Sequence, residues 1–405
     1  MNIPSSWQIL PLQKVAKLQT GLALNSKLKI LCPVCVPYLR VANVQAGHIE
    51  LGDLKTVVIE SSTMQRFVLH PGDVLLTEGG DFDKLGRGAV WRGQISPCLH
   101  QNHVFAIRTD RLKLLPEFLS YQTESNYGRN YFLSCSKQST NLASINSTQI
   151  KNFPVIVPPL NEQRRIAEFL GTWNEAIEKL EQLIAAKEKR FSFLRVNMIQ
   201  GKIRIVGFQS KWRKTVLSEI SDHITRNVGT LDVEPASISA GKGFVLQKEK
   251  FGRNIAGKQY SRYTLLYPGE FTYNKGNSKT YECGCVYQWQ GAKAVAVPNV
   301  FISFSLKPQQ ADARFISHFF EANLHANELR KFINSGVRND GLLNITTGSF
   351  LGITIDLPEL SEQRMIVNIL NVHSLELELL RKELAALQKQ KRGLMQKLLT
   401  GTWRV

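Results

Sequence analysis

Three groups of residues in this chain have types and spacing that suggest chemistry, and two of them fail on detail. Gly252-Arg253-Asn254-Ile255-Ala256-Gly257-Lys258-Gln259 has the outline of a loop in which backbone N–H groups and a lysine cradle a phosphate. However, Gln259 stands where Ser or Thr must hold magnesium. The next run, Tyr260-Ser261-Arg262-Tyr263-Thr264-Leu265-Leu266, reads as a strand where a helix is required. Nucleotide binding is not expected there. Cys32 and Cys35 have the spacing of half a zinc site, but the other close pair, Cys283 and Cys285, is separated by one residue. No well-spaced histidine pair completes either set, so reduced structural thiols and no metal are expected. The chain also lacks a glycine-rich cofactor loop after a strand, an Asn-Pro-Pro-Tyr methyltransferase motif and an acidic nuclease cluster.

The third group suits nucleic acid. It consists of polar segments with basic residues, two in each half of the chain and three of the four containing glycine. In the first half they are Gly79 to Arg87, with Lys84 and Arg87, and Ser136 to Asn141, with Lys137, Gln138, Ser139 and Asn141. In the second half they are Tyr273 to Lys279, with Lys275, Asn277 and Lys279, and Gly336 to Asp340, with Arg338 and Asn339. Arg and Lys contact guanine or phosphate, Asn and Gln pair with adenine, and Ser holds phosphate. The alternative for each segment is an ordinary solvated turn.

Charge points the same way. The net charge is +18, and it is spread evenly. Residues 1–158 carry 16 basic and 10 acidic groups and residues 206–357 carry 18 and 12, a net of +6 each. Residues 159–205 carry 9 and 6 and residues 358–405 carry 8 and 5, a net of +3 each. Two moderately basic domains fit two contacts with a polyanion better than one basic tail does. No apolar run reaches membrane-spanning length and the N-terminus has no signal-peptide pattern, so a cytoplasmic protein is expected.

The elements that must position these segments are a repeated pair of helices. Pro158-Pro159-Leu160-Asn161-Glu162-Gln163-Arg164-Arg165-Ile166 recurs 200 residues later as Pro358-Glu359-Leu360-Ser361-Glu362-Gln363-Arg364-Met365-Ile366. Asn161 and Ser361 are the expected N-caps, an acidic residue follows in each first turn, and Gly201 and Gly401 close the helices. Apolar residues recur at spacings near three and four: Ile166, Leu170, Trp173, Ile177, Leu180, Ile184, Phe191, Leu194 and Met198, then Ile366, Leu370, Leu377, Leu380, Leu384, Leu387, Leu394 and Leu398. Stripes this narrow read as coiled-coil seams. Forty residues make a rod of roughly 60 Å. Lys187, His373 and Lys391 interrupt the seams. Antiparallel pairing about the midpoints sets Lys391 opposite Trp173 and His373 opposite Phe191, and a cation over the indole would offset part of its burial cost. Pairing of each helix with another chain is the alternative.

The repeat extends weakly into the regions before each helix. Trp7 and Leu12 match Trp212 and Leu217, and Pro71-Gly72-Asp73 matches Pro268-Gly269-Glu270. His103-Val104-Phe105-Ala106-Ile107 matches Asn299-Val300-Phe301-Ile302-Ser303. The expected fold is α+β: two mixed sheet-and-helix domains (1–158 and 206–357) alternating with two long helices (159–205 and 358–405). The helices pair as an antiparallel coiled coil and the whole is a pseudo-two-fold internal repeat.

Two Pro-x-Leu-x-Glu-Gln-Arg strings separated by domain-sized variable regions, with Leu394-Met395-Gln396-Lys397-Leu398-Leu399-Thr400-Gly401 at the end, resemble the specificity subunit of Type I restriction-modification systems over nearly the whole chain. The first helix ends on a looser form, Met198-Ile199-Gln200-Gly201. The resemblance implies a non-catalytic subunit that reads one half of a split double-stranded DNA target with each recognition domain. It implies two methyltransferase subunits using S-adenosylmethionine, and restriction subunits using ATP and magnesium, with those cofactors held by the partners. An enzyme whose motifs have diverged and a coiled-coil scaffold without a DNA role are the competing classes. The scaffold leaves the equal +6 of both globular halves unexplained.

Overall fold

A computed structural model of the chain describes residues 3–23, 31–80, 85–138, 143–251, 257–276, 281–332 and 342–404. The chain folds into two compact units, one of Met1–Glu181 with Lys382–Val405, the other of Gln182–Arg381. Each long helix, Leu160–Ile199 and Leu360–Leu398, therefore contributes one half to each unit.

In the first unit a four-stranded antiparallel sheet has the order Ala16–Thr20, Val104–Thr109, Val74–Thr77, Gly88–Val90. Its central strands are apolar at nearly every position because both faces are covered. Helix Pro116–Glu124 and the start of the first long helix join this core through Phe118, Leu119, Ile166 and Leu170, and the end of the second long helix joins it through Met395 and Leu398. A three-stranded sheet of Lys55–Glu60, Pro33–Leu39 and Leu99–His100 covers a smaller cluster around Tyr38 and Ile59.

The second unit repeats this plan. Its four-stranded antiparallel sheet runs Ser221–His223, Ile302–Leu306, Phe271–Asn274, Cys285–Gln288, the same succession in chain order. Two-stranded ribbons also correspond: Gln8–Pro11 with Pro154–Val157, and Arg213–Val216 with Thr354–Leu357. The core of the second unit is strongly aromatic. Tyr273 stacks on Phe350 at 4.3 Å and Phe271 on Phe304 at 5.2 Å between ring centroids.

His325 lies against Tyr273 and Phe320 in that cluster, its Nε2 3.3 Å from the Gly284 carbonyl oxygen. Burial pushes its pKa down to about 4 from an ordinary 6.5. As pH falls, the unfolded chain takes up this proton first, so stability present above pH 6.5 is lost on the way to pH 4. Between pH 7 and pH 5 the loss is about 2 kcal/mol. Urea midpoints should show it, and His325→Phe should remove this share of the pH dependence.

The two helices run antiparallel. In the first unit Gln388 Nε2 donates to Glu181 Oε1 at 3.3 Å; in the second, Lys187 meets Glu376 at 2.6 Å and Arg381 meets Glu188 at 2.5 Å. The seam positions Ile166, Leu170, Ile184, Phe191, Met198, Ile366, Leu370, Leu377 and Leu398 are buried. Trp173, Ile177, Leu180, Leu194, Leu380, Leu384, Leu387 and Leu394 are half-buried.

Local details differ from the sequence reading for physical reasons. Both helices begin at Leu160 and Leu360, one residue before the expected caps, and the Pro159 carbonyl accepts the N–H groups of Glu162 and Gln163. Lys391 finds its partners in the globular part of its own unit: Nζ lies 2.9 Å from Glu124 Oε1 and 5.9 Å from the Tyr121 ring centroid. A carboxylate neutralises a buried ammonium better than an indole does. His373 lies 3.8 Å from Glu376, one turn along its own helix. Residues Gly257–Arg262 form a 3-10 helix, and only Thr264–Leu266 is strand. The strand match slips by one: Val74 pairs with Ile107 and Phe271 with Phe304, so Ile107 corresponds to Phe304 rather than Ser303. Such a slip exchanges the two faces of a strand, and only the sheet register reveals it.

Candidate nucleic-acid interface

Two of the segments selected from the sequence share a sheet in the first unit, and in the second unit described backbone beside the other two is bridged. In the first unit Gly79–Gly80, Ala143–Ser144 and Lys137–Gln138 form a three-stranded sheet with Ala143–Ser144 in the middle. Residues 81–84 and 139–142 leave from these adjoining strands and lie outside the described residues, which places Lys84, Ser139 and Asn141 there. The base is fixed by Ile145 N–H to Glu78 O at 2.8 Å and Glu78 N–H to His103 O at 2.9 Å, and the His103 ring bonds the Glu78 carboxylate. Lys137 is exposed; Gln138 is in the strand, its side chain outside the description. Arg87 is half-buried, and its buried Nε has no hydrogen-bond partner among the described residues. Beside it Gly86 has φ +64° and lies so close to Phe132 that an added Cβ would come within 2.6 Å of the ring.

The second unit builds the same base from different residues. Gly276 bridges Leu342, and Leu343 N–H donates to Lys275 O at 3.0 Å. Lys275 Nζ donates to the Ile345 carbonyl at 3.1 Å, so this amine ties the base together. Residues 277–280 and 333–341, containing Asn277, Lys279, Arg338 and Asn339, lie outside the described residues.

Each unit fastens its long-helix ends to its globular part with a repeated set of polar contacts. Glu162 accepts from the Trp7 indole N–H at 3.2 Å and takes a bidentate pair from Arg404 at 2.6 and 3.2 Å. Glu362 accepts from Trp212 at 3.1 Å and from Arg204 at 2.7 and 2.9 Å. Each tryptophan also covers the glycine ending the other helix. A Cβ on Gly401 would lie 3.2 Å from Trp7, one on Gly201 3.2 Å from Trp212, and both glycines have φ near +70° (72° and 68°). The adjacent glutamine completes the join. Gln163 bonds Lys113 O and Pro158 O at 2.8 Å and receives Leu115 N–H at 2.9 Å; Gln363 bonds Pro358 O at 2.9 Å and receives Asp312 N–H at 2.8 Å. The Glu-Gln of the helix signature is thus a structural joint. A second joint pairs Lys391 with Glu124 in the first unit and Arg195 with Glu321, at 2.9 Å, in the second.

Sequence reasoning missed Trp91 and Trp289. Gly72 N–H donates to Trp91 O at 2.7 Å and Gly269 N–H to Trp289 O at 2.8 Å, so each Pro-Gly turn is tied to the same strand end. The signal was present: a tryptophan follows each Pro-Gly turn by about twenty residues.

Among the described residues no three His, Cys, Asp or Glu side chains gather as metal ligands, and no helix is long and apolar enough to cross a membrane.

Comparison with known proteins accounts for the repeated plan. Residues 4–188 and 270–389 match the family described as Type I restriction modification DNA specificity domain. A protein of Methanocaldococcus jannaschii, provisionally described as the MjaX type I restriction enzyme specificity subunit, is 24% identical over 425 residues, covering 100% of this chain and 95% of that protein. Two solved structures share the fold. One, solved to show complex assembly and conformational transition of the type I R-M system, has a TM-score of 0.61 at 16% identity with all of both chains covered. The other, the S subunit of a Type-I restriction-modification system from M. genitalium, has a TM-score of 0.52 at 15% identity, covering 98% of this chain and 96% of that one. The family match spans most of both halves, and the chain belongs to the Type I restriction-modification DNA specificity family.

Proposed function

We propose that this chain is the non-catalytic DNA reader of a Type I restriction-modification complex, taking one half of a two-part target with each recognition domain, 1–158 and 206–357. One observation carries the reading: in each unit backbone of one candidate segment pairs with backbone just after the other, Gly80 with Ala143 and Gly276 with Leu342. Arg87, Lys137, Lys275 and the residues of the adjoining loops would contact bases and phosphates. The long helices would recruit two methyltransferase subunits, and restriction subunits would complete the nuclease. S-adenosylmethionine, ATP and magnesium would be held by those partners, in the cytoplasm.

The test is co-expression with the methyltransferase subunit of its own system in a methylation-free host, followed by genomic mapping of N6-methyladenine. A two-part motif with a fixed gap is expected; a continuous motif would remove the two-reader model. Binding of duplex DNA by the purified complex should also weaken steeply with salt. If six to ten phosphates are neutralised, affinity should fall about 10³- to 10⁵-fold between 50 and 200 mM salt. A flat salt response would favour the scaffold reading.

A further inference from the structure

The second unit has a cleft that the candidate interface does not use. Its cavity measures about 320 Å³ and runs along strand Cys285–Gln288, at the outer edge of the four-stranded sheet. Trp289 N–H donates inward to Glu270 O at 2.7 Å and Trp289 O takes Gly269 N–H at 2.8 Å. The alternation of the strand therefore turns the Val286 and Gln288 carbonyls outward, along the cleft. Phe244 and Trp289 meet edge to face there, with 5.2 Å between ring centroids, and Tyr287 adds a third ring. Two of the rings are held in place: Gly241 N–H donates to the Tyr287 hydroxyl at 3.0 Å, and the Trp289 indole N–H donates to Lys293 O at 2.7 Å. Helix Ala313–Glu321 closes the other side with Ser317 and Glu321. Among the described residues lining the cleft Glu321 carries the only charge, in a chain whose net charge is +18. Arg195 and His318 both hold its Oε2, at 2.9 and 3.2 Å, and Oε1 has no hydrogen-bond partner among the described residues. Burial pushes this carboxyl's pKa up, but His318 and Arg195 outweigh burial and hold it below the ordinary 4.5, so it is ionised at neutral pH.

The first unit closes the same place in the fold. Trp91, Arg92, Ser120 and Glu124 stand where Trp289, Gln290, Ser317 and Glu321 stand in the second. The cavity there is about 40 Å³. Gly47 N–H covers the outward Gly88 carbonyl at 2.9 Å, and Lys391 supplies a cation 2.9 Å from Glu124 Oε1 and 5.9 Å from the Tyr121 ring centroid. We propose that the open cleft of the second unit binds a small free organic cation, a guanidinium on a short apolar stem. A planar guanidinium lies over aromatic faces and donates several N–H bonds to carboxylate and carbonyl oxygens, the groups these walls supply. A phosphate would face the Glu321 carboxylate instead. The volume stands at the small end of ligand pockets, which span roughly 300–1,000 Å³. The cleft lies at the Gly269 end of strand Phe271–Asn274 and the Gly276 bridge at the other, so the cation site is separate from the candidate nucleic-acid interface.

The test uses the full chain labelled with fluorotryptophan, in which the Trp289 fluorine resonance is the one lost in Trp289→Phe. N-butylguanidinium, at non-denaturing concentrations, should shift that resonance to saturation. N-butylurea has the same shape without the charge and should bind at least about tenfold more weakly. Gln290→Arg gives the second cleft the residue type of the first and should weaken N-butylguanidinium by a similar factor. Gln290 is exposed, so the melting curve should not change. Glu321→Gln should weaken binding as well; because that change also loosens Arg195, Gln290→Arg is the deciding variant. An unmoved Trp289 resonance, equal affinity for the urea, or undiminished binding in Gln290→Arg would each overturn the proposal. A blocked Gly-Arg-Gly peptide that binds about tenfold tighter than N-butylguanidinium would give the cleft to an arginine of another protein and overturn the free ligand.

Discussion

Replacing Glu362 with alanine should destabilise the second unit by about 3 kcal/mol, and the same change at Glu162 should cost the first unit about 1–2 kcal/mol. The two carboxylates make matching contacts, so the difference comes from solvent. Glu362 is fully buried and the Arg204 side chain is 30% exposed; Glu162 retains 9% exposure and the Arg404 side chain 54%. Losing Glu362 strands a largely desolvated guanidinium beside the Trp212 indole, whereas Arg404 can return to water. For units of this size the second unit should melt about 6–12 °C lower. Differential scanning calorimetry, with hydrogen exchange to locate the loss in residues 206–357, would measure it. Glu362→Gln keeps an acceptor for Trp212 and should recover part of the loss. Equal losses at the two sites would show that burial does not set the strength of the joint.

The joint also explains why the fold was more legible than the site. Long helices announce themselves through apolar period, an acidic first turn and a closing glycine, all local features. The purpose of Glu162, Gln163, Glu362 and Gln363 was not local. Their partners (Trp7, Leu115, Arg404, and Trp212, Asp312, Arg204) lie tens to hundreds of residues away, so a recurring string could be recognised without revealing what it holds. The candidate loops were found because glycine, amide and basic residues cluster in them. The pairing of backbone beside them was invisible because it runs through strands two residues long, as at Gly79–Gly80 and Ala143–Ser144, or a single bridge, as at Gly276 and Leu342. Such elements are too short to show a period. Lys275 shows what the sequence leaves out at a single residue: its amine also donates to Ile345 O, seventy positions away in the chain.

Inserting one heptad of the seam pattern after Glu181 and another after Arg381 should lengthen the gap between the two half-targets by about three base pairs and leave both half-sequences unchanged. Each helix is continuous through its insertion point. Seven residues add about 10.5 Å of helix, and the DNA rise is about 3.4 Å per base pair. A whole heptad preserves which residues face the partner helix, so the seam from Ile166 to Met198 keeps its register against Ile366 to Leu398. Insertion into one helix alone would displace Lys187 from Glu376 and Arg381 from Glu188, and should destabilise the pair rather than retune it. Three extra base pairs also turn the second half-site by roughly a quarter turn about the duplex, so methylation should be slower even where the new gap is selected. Mapping N6-methyladenine in cells carrying the doubly extended chain reads both effects together. Methylation at the original gap, from a chain whose two helices are intact and longer, would show that the coiled coil does not set the spacing.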